Sequence, residues 1–243
     1  MPLIIVASHH KAGSTYAKKC FSEIAFVLGY DYHFYGYGET PDPIITSQAK
    51  NKILCFSHAC IETIAAIITR QAPEAFRLVH FIRDPRTLIV SATKYHSNAD
   101  EHWLSIPKSE YGGKSYQQYI TGLACYSDQL IFEMNNGSRE ALQEMGNIFT
   151  SKLATITIKL EKISWDASGF IHHKLSEHLV DDTSMQSVVK TILMRNSLFA
   201  LPSPPRHART MLSCHTRNDL QDYALISYCK LYGHLHSTLG YKT

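Results

Sequence analysis

The most informative part of the sequence is Leu3-Ile4-Ile5-Val6-Ala7-Ser8-His9-His10-Lys11-Ala12-Gly13-Ser14-Thr15-Tyr16. Its first five residues are apolar, as expected of a buried strand. Beyond its end, apolar residues recur at spacings of three and four, the pattern of one helix face: Ala17, Cys20, Phe21, Ile24, Ala25 and Leu28. The predicted order is a buried strand, a tight polar loop and the start of a helix.

Residues 9–16, called the anion loop below, have the composition of an anion-binding site. Backbone N–H groups in the first turn of a helix have no intrahelical acceptor and carry partial positive charge. Lys11 adds a full positive charge, and Gly13 allows the backbone to approach a ligand closely. Ser14 and Thr15 add hydroxyl donors. The loop is therefore predicted to bind a phosphate or sulfate group.

Two further apolar runs are each followed by a polar loop and a helical pattern. They are Lys52–Phe56, with Ser57-His58 and a helix over about 61–70, and Phe76–Ile82, with Arg83-Asp84-Pro85-Arg86 and a helix over about 86–95. This alternation predicts an α/β fold with a central parallel sheet flanked by helices. In such sheets the ligand lies at the carboxyl ends of the strands, where the three polar loops would meet.

The remaining elements are less sharply defined by the sequence. They are a short strand and loop within 30–37, an irregular polar stretch over 97–114, helices over 115–134 and 139–145, a strand over 153–160, helical patterns over 166–200, a Pro-rich loop over 201–209, and a last helix from Asn218 to Leu239 that Gly240 can cap. No internal repeat or linker interrupts the chain. Residues 1–243 are therefore interpreted as a single domain.

The composition favours a soluble globular protein with an anionic small ligand. A formal net charge of +3 is too small to favour nucleic acid as a partner. The six cysteines form no CxxC motif, which indicates reduced thiols of an intracellular protein. A strand at Leu3 leaves no room for a signal peptide, and no apolar run is long enough to span a membrane. We expect a cytoplasmic protein whose oligomeric state cannot be read from the sequence.

The lysine of the anion loop stands in the wrong place for a Walker A motif. That motif places its lysine after a glycine, in the order Gly-x4-Gly-Lys-Ser/Thr, whereas Lys11 precedes Gly13. ATP hydrolysis and kinase chemistry are therefore disfavoured, and a nucleotide kinase is the less favoured alternative.

Two segments resemble the cofactor motifs of sulfotransferases that use 3′-phosphoadenosine 5′-phosphosulfate (PAPS). Lys11-Ala12-Gly13-Ser14-Thr15-Tyr16 is similar to the 5′-phosphosulfate loop of that family. The segment that starts at Arg83-Asp84-Pro85-Arg86 and reaches Ser91 is similar to its 3′-phosphate element. The resemblance implies a P-loop-nucleotide-kinase-like sulfotransferase architecture. It implies PAPS as donor, adenosine 3′,5′-bisphosphate as product, and a hydroxyl-bearing small molecule or glycan as acceptor, with neither nucleic acid nor membrane as partner.

The resemblance also implies roles for individual residues. Lys11 would stabilise the leaving phosphate, and Arg83 with Ser91 would bind the 3′-phosphate. A basic C-terminal loop at the position of the family's closing element would contribute Arg206 or Arg209. The implied cofactor-binding residues are Lys11, Ala12, Gly13, Ser14, Thr15, Tyr16, Arg83, Ser91, Arg206 and Arg209.

A general base must accept the proton of the acceptor hydroxyl. His58 stands where cytosolic members of the family carry the histidine of Lys-Thr-His, and its ordinary pKa near neutrality suits this role. Glycan-type members often use a carboxylate, so Glu39 and Glu62 are the alternative bases. Phe56 replaces the family's lysine, which leaves Lys11 to serve the reaction alone.

The sequence departs from the family in ways that keep a second class of function open. Leu160 and Phe56 replace residues that the family motifs usually carry. A non-catalytic module that binds an adenosine bisphosphate is therefore the alternative function. No metal is expected, because Lys11 and Arg83 supply the charge that sulfuryl transfer needs. The neighbouring histidines of His172-His173 and His234-x-His236 also do not share a helix face.

Overall fold

The computed structural model describes residues 2–42, 51–72, 75–164, 166, 168–197 and 222–241. The chain forms two compact units. The first unit comprises Met1–Arg83 and Gln143–Ser203, and the second comprises Asp84–Leu142 and Pro204–Thr243. The single-domain interpretation of residues 1–243 stays a prediction.

The first unit contains a five-stranded parallel sheet within the described residues. Its strands are β1 Leu3–Ala7, β2 Asp31–Tyr35, β3 Lys52–Phe56, β4 Phe76–Ile82 and β5 Ile156–Lys159, in the spatial order β2-β3-β1-β4-β5. Every neighbouring pair is parallel, which confirms the predicted α/β fold. Strands buried on both faces read as continuous apolar runs, so three strands could be predicted with the bounds that the structure has.

The helices of the described residues follow in chain order. They are α1 Ser14–Leu28, α2 Ile61–Ile68, α3 Pro85–His96, α4 His102–Ser105, α5 Tyr116–Thr121, α6 Tyr126–Asn135, α7 Arg139–Ser151, α8 Leu160–Ser164, α9 Phe170–Leu179, α10 Thr183–Arg195 and α11 Asp222–Thr238. None is both long and apolar enough to cross a membrane.

Helices cover both faces of the sheet in the first unit. On one face, α2 packs its isoleucines against a buried cluster that includes Leu3, Ile5, Leu54 and Leu78. On the other face, α1 packs on β2 and β3, and the Phe21 ring meets Phe81 of β4 at 6.3 Å. The sheet is thus buried between two layers of helices. Because both faces are covered, the polar loops lie at the ends of the strands.

The second unit is helical in its described residues. Helix α6 packs against α3 and α11, and α5 packs against α4 and α6. A smaller apolar cluster of Leu104, Tyr111, Tyr116 and Ile120 fills this unit.

Several predicted bounds were wrong. The helix predicted over 115–134 is two helices, because Gly122 ends α5 and extended backbone at Cys125 precedes α6. The strand predicted over 153–160 is shorter at both ends, and Leu160 begins a helix. The helix predicted over 139–145 continues to Ser151. The loop over 201–209 and the predicted helix start at Asn218 lie outside the described residues.

Candidate functional site

The loops after β1, β3 and β4 leave the sheet at the same edge. Ala7 pairs in register with Phe56 of β3 and with His80 of β4, so the three strands end at nearly the same level. Ser8 joins two of these loops, since its N–H and its hydroxyl both donate to the Phe56 carbonyl, at 3.0 and 2.7 Å. Its own carbonyl accepts from the N–H of Ala59 at 3.0 Å.

This edge also contains a topological switch point. β1 leads through α1 towards β2 on one side, whereas β4 leads towards β5 on the other side. In open parallel sheets, ligands bind in the crevice where neighbouring connections diverge in this way. The polar loops therefore lie where the fold itself favours a ligand.

The anion loop has a strained, tightly turned backbone. Lys11 has a φ of 59°, in the left-handed region, and Gly13 has a φ of 96° where it caps α1. The turn is closed by the N–H of Ala12, which donates to the His9 carbonyl at 2.9 Å. The helical ladder of α1 starts with Ala17, whose N–H donates to the Gly13 carbonyl at 2.9 Å. The N–H groups of residues 14–16 thus belong to the first helical turn, as the predicted anion site requires.

Gly13 is closely packed by a residue far along the chain. A Cβ atom at Gly13 would lie 2.9 Å from Cδ1 of Leu160, the first residue of α8. Leu160 was noted in the sequence as a departure from the family motif, and the structure gives it a packing role. Both the φ of Gly13 and this contact disfavour any larger residue there.

The structure brings Arg83 and the anion loop together. Arg83 follows β4, its side chain is buried at 2% exposure, and its Nη1–H donates to the Lys11 carbonyl at 2.8 Å. Two of the predicted cofactor-binding residues, 72 positions apart, are therefore in direct contact. A permanently charged guanidinium beside a lysine-bearing loop makes this edge a favourable place for an anion.

His58 also lies beside the anion loop. Its ring stacks on that of His10 at 5.6 Å, and the edge of Tyr37 meets it at 5.2 Å. His58 Nδ1 is 3.1 Å from Ser57 Oγ, and the Ser57 hydroxyl lies 3.3 Å from the Tyr35 carbonyl, to which it donates. If the single proton of the hydroxyl stays in the bond to Tyr35, Ser57 accepts from Nδ1–H of His58 and Nε2 carries the lone pair. This tautomer is the one that a general base needs.

His9, the first residue of the anion loop, forms a second histidine pair with His80 of β4. Nε2 of His9 is 3.0 Å from Nε2 of His80, and both side chains are at most 1% exposed. Burial lowers the pKa of His80 to about 3. Burial, with smaller contributions from His80 and His58, lowers the pKa of His9 well below its ordinary value. Both imidazoles are therefore neutral near neutral pH.

The other predicted residues of the anion loop point in different directions. Ala12 is fully buried, so its backbone is the part available to a ligand. The Tyr16 hydroxyl donates to the Leu193 carbonyl at 3.2 Å, and its ring meets Phe81, so this side chain anchors α1 rather than facing the loop. Ser14 is half-buried and Thr15 is exposed. Their hydroxyls stay predicted ligands.

The predicted 3′-phosphate residues beyond Arg83 stay predictions. Ser91 is buried at 2% exposure on α3 of the second unit. Arg206 and Arg209 lie outside the described residues. Asp84 caps α3 by accepting from the N–H of Arg86 at 2.9 Å, and Pro85 is the first residue of that helix. The Asp84-Pro85 sequence is therefore explained by the start of α3.

The alternative bases have structural partners of their own. Glu39 Oε2 accepts from the Gly36 N–H at 2.6 Å and closes the turn after β2. Glu62 accepts from the Cys60 thiol at 2.6 Å. Among the described residues, Cys60, Glu62 and Glu144 have potential ligand atoms within 4.8 Å of one another. Glu144 already accepts from the N–H of Ile61, at 2.7 Å.

Comparison with known proteins adds support for the fold. No protein-family model matches the chain, and no curated protein matches it in sequence. Among solved structures, mouse sulfotransferase SULT7A1 complexed with PAP is similar, with a TM-score of 0.53 and 12% sequence identity. The match covers 99% of this chain and 88% of the mouse chain. At this identity the likeness shows a shared fold, in agreement with the predicted α/β architecture.

The contacts of three residues of the site were missed at the level of sequence. Those of Ser8 and Leu160 could not be predicted from a motif, because they depend on strand register and on residues far apart in the chain. His80 did carry a signal in the sequence, because it is a polar residue inside the buried strand β4. A polar residue in such a position needs a partner, and here the partner is His9.

Proposed function

We propose that this protein is a sulfotransferase, which moves a sulfuryl group from PAPS to a hydroxyl of a small molecule or glycan. Adenosine 3′,5′-bisphosphate is the other product. PAPS, when bound, supplies a sulfuryl group whose bond to the 5′-phosphate breaks as its bond to the acceptor oxygen forms. The fold shared with a sulfotransferase that was solved with PAP supports this choice of donor.

The contact between Arg83 and the Lys11 carbonyl, at 2.8 Å, carries the proposal. Each residue belongs to one of the two motifs that resemble PAPS-binding elements, and the motifs are far apart in the sequence. Their meeting at the switch point of a parallel sheet is what one ligand with two anionic ends requires.

The residues of the anion loop fit an anionic group. The first-turn N–H groups of residues 14–16 follow a glycine at a φ of 96°, and Leu160 occupies the space that a Cβ would need. The 5′-phosphate is bound by these N–H groups, and Lys11 neutralises the charge that develops on the leaving oxygen. Arg83 binds the 3′-phosphate.

His58 acts as the general base. Its Nδ1–H donates to Ser57, so Nε2 accepts the proton of the acceptor hydroxyl. Tyr37 is 68% exposed and lies edge-on to the His58 ring, so an acceptor that reaches His58 passes beside it. Tyr37 therefore contributes an aromatic surface to the acceptor side, suited to a phenol or to the face of a sugar.

The test is ligand binding followed by transfer. We expect adenosine 3′,5′-bisphosphate to raise the melting temperature, and adenosine 5′-monophosphate to do so less. ATP with magnesium should have little effect. Sulfate transfer from PAPS is then measured over phenols, alcohols and glycans. Equal responses to ATP and to the bisphosphate, with no transfer, would contradict the proposal.

One observation favours the non-catalytic alternative. Phe56, which replaces the family's lysine, is 2% exposed and stacks on Tyr35 at 5.0 Å, so it belongs to the core. A protein without this lysine could bind the nucleotide without turnover. Tight binding of the bisphosphate, together with no transfer to any acceptor, would favour a binding module.

A further inference from the structure

We infer that His80 is a positioning residue for the anion loop, because its Nε2–H donates to Nε2 of His9 and fixes where the loop leaves β1. The contact itself does not depend on the proposed function. The ligand whose binding it serves, a nucleotide 5′-phosphate, does rest on that proposal.

The geometry of the pair is that of a hydrogen bond in a dry environment. The two Nε2 atoms are 3.0 Å apart, and the ring planes cross at 77°. His80 is fully buried, and its chain neighbours Val79 and Phe81 are buried as well. A hydrogen bond between two groups that water does not reach holds its geometry more firmly than an exposed one.

The second ring nitrogen of His80 indicates which atom donates. Nδ1 of His80 is buried and has no hydrogen-bond partner among the described residues. A proton on Nδ1 would bury an unpaired N–H group, which is rare and costly. We therefore assign the proton to Nε2 of His80, with Nε2 of His9 as acceptor and the proton of His9 on Nδ1.

The anion loop needs such an anchor because its backbone is strained. Lys11 has a φ of 59°, a conformation that side-chain-bearing residues keep only when their surroundings enforce it. His9 is the acceptor that closes the turn, since its carbonyl receives the N–H of Ala12 at 2.9 Å. His80 therefore fixes the residue that closes the turn, and Arg83 fixes the Lys11 carbonyl two residues later.

The cost of the pair also indicates a role beyond packing. A leucine at position 80 would fill similar space without burying an unpaired ring nitrogen. Sequences usually break such local rules at functional sites, where a precise geometry offsets the loss. Here one partner of the contact, His9, is also the residue whose carbonyl closes the predicted phosphate-binding turn.

The experiment compares His80→Leu, which removes the donor, with His80→Gln, whose amide N–H can replace Nε2–H. His172→Leu is the matched control. His172 is also buried at 1% exposure with an unpartnered Nε2 among the described residues, but its Nδ1 bonds to Asp166 in front of α9. Affinities for adenosine 5′-monophosphate and adenosine 3′,5′-bisphosphate are measured by calorimetry, and unfolding free energies by denaturant titration.

We expect His80→Leu to weaken the binding of adenosine 5′-monophosphate about tenfold. This factor corresponds to the free energy of one hydrogen bond, here the bond between His80 and His9 that supports the loop. The ratio of the two affinities should stay unchanged, because the 3′-phosphate is not affected. His80→Gln should restore most of the affinity. His172→Leu should change stability while leaving affinity as in the wild type. A His80→Leu protein that binds the monophosphate as the wild type does would overturn the inference.

Two further measurements separate this inference from the proposed function. Nitrogen NMR of the wild type should report the proton of His80 on Nε2, and a proton on Nδ1 would overturn the inference whatever the ligand. If the wild type binds neither nucleotide, the proposed function fails. Titration with inorganic sulfate, followed at the amides of residues 14–16, then tests the loop. Equal sulfate binding by wild type and His80→Leu would again overturn the positioning role.

Discussion

The two units each contain a buried histidine cluster, and the clusters are satisfied to different degrees. In the second unit, Glu133 is fully buried and accepts three hydrogen bonds, from His96 Nδ1 and Tyr116 Oη at 2.8 Å and from Ser138 Oγ at 2.7 Å. In the first unit, His9 and His80 share one contact, and Nδ1 of His80 lacks a partner among the described residues.

The difference distinguishes buried polar residues that stabilise the core from buried polar residues that support a binding site. A fully satisfied network specifies a core and stabilises it. A buried pair whose hydrogen-bonding groups are only partly satisfied lowers the stability of the fold. Such costs are found where function needs a particular side-chain or backbone geometry. The Glu133 cluster should therefore respond to mutation in stability, and the residues around the anion loop should respond in ligand binding and catalysis.

The largest effect is expected from Glu133→Leu. This change strands three buried donors, including Tyr116, whose pKa is raised by burial and by the neighbouring Glu133. We expect a loss of about 3–5 kcal/mol in unfolding free energy, measured by denaturant titration. Glu140→Gln, at an exposed position of α7, is the control and should change stability little. A loss below about 1 kcal/mol would show that the cluster contributes little to the core of the second unit.

Lys11→Ala should give the largest effect on catalysis. In the proposed mechanism Lys11 stabilises the leaving oxygen, so removing its charge should lower kcat by about 10²–10³-fold, as loss of a preorganised donor does in other enzymes. The hydrogen bond from Arg83 should persist in this variant, because it uses the Lys11 backbone carbonyl. Lys19→Ala, an exposed lysine on α1, is the matched control. Full transfer activity in Lys11→Ala would contradict the proposed mechanism.

Gly13→Ala tests how far the loop tolerates change. A φ of 96° is unfavourable for alanine, and the added Cβ would lie 2.9 Å from Leu160 Cδ1. We expect a loss of about 1–2 kcal/mol in stability together with weaker nucleotide binding. Adding Gly13→Ala to a Leu160→Ala protein, and comparing the double variant with Leu160→Ala alone, removes the steric part and leaves the conformational part. Full recovery in the double variant would show that backbone strain at Gly13 matters little.

The sequence predicted the fold better than it predicted the contacts of the site. β1, β3 and β4 were predicted with their observed bounds because each is a mainly apolar run followed by polar residues. The break at Gly122 was missed, because one glycine inside a helical pattern is often tolerated. The motif residues Lys11 and Arg83 could be chosen by type and spacing. Their contact could not, because it depends on the strand order and register of the sheet.

The effect that should be smallest near neutral pH, and should grow only as the pH falls, is a pH dependence that comes from His80. Its pKa is about 3 in the folded protein and about 6.5 when unfolded, so between these values the unfolded chain binds a proton that the folded one does not. The stability that the folded protein owes to a neutral His80 is therefore fully present above about pH 6.5, and it is lost as the pH falls towards 3.

One such group lowers unfolding free energy by up to about 1.4 kcal/mol per pH unit in that window. His80→Leu should reduce the slope between pH 6.5 and 4 by roughly this amount, while His9 still contributes its own part. Denaturant titrations of both proteins across the window measure the difference. Parallel stability curves would mean that His80 gains a proton in the folded state as easily as in the unfolded one. In that case the pair would be an ordinary, solvated contact, and the contrast with the Glu133 cluster would disappear.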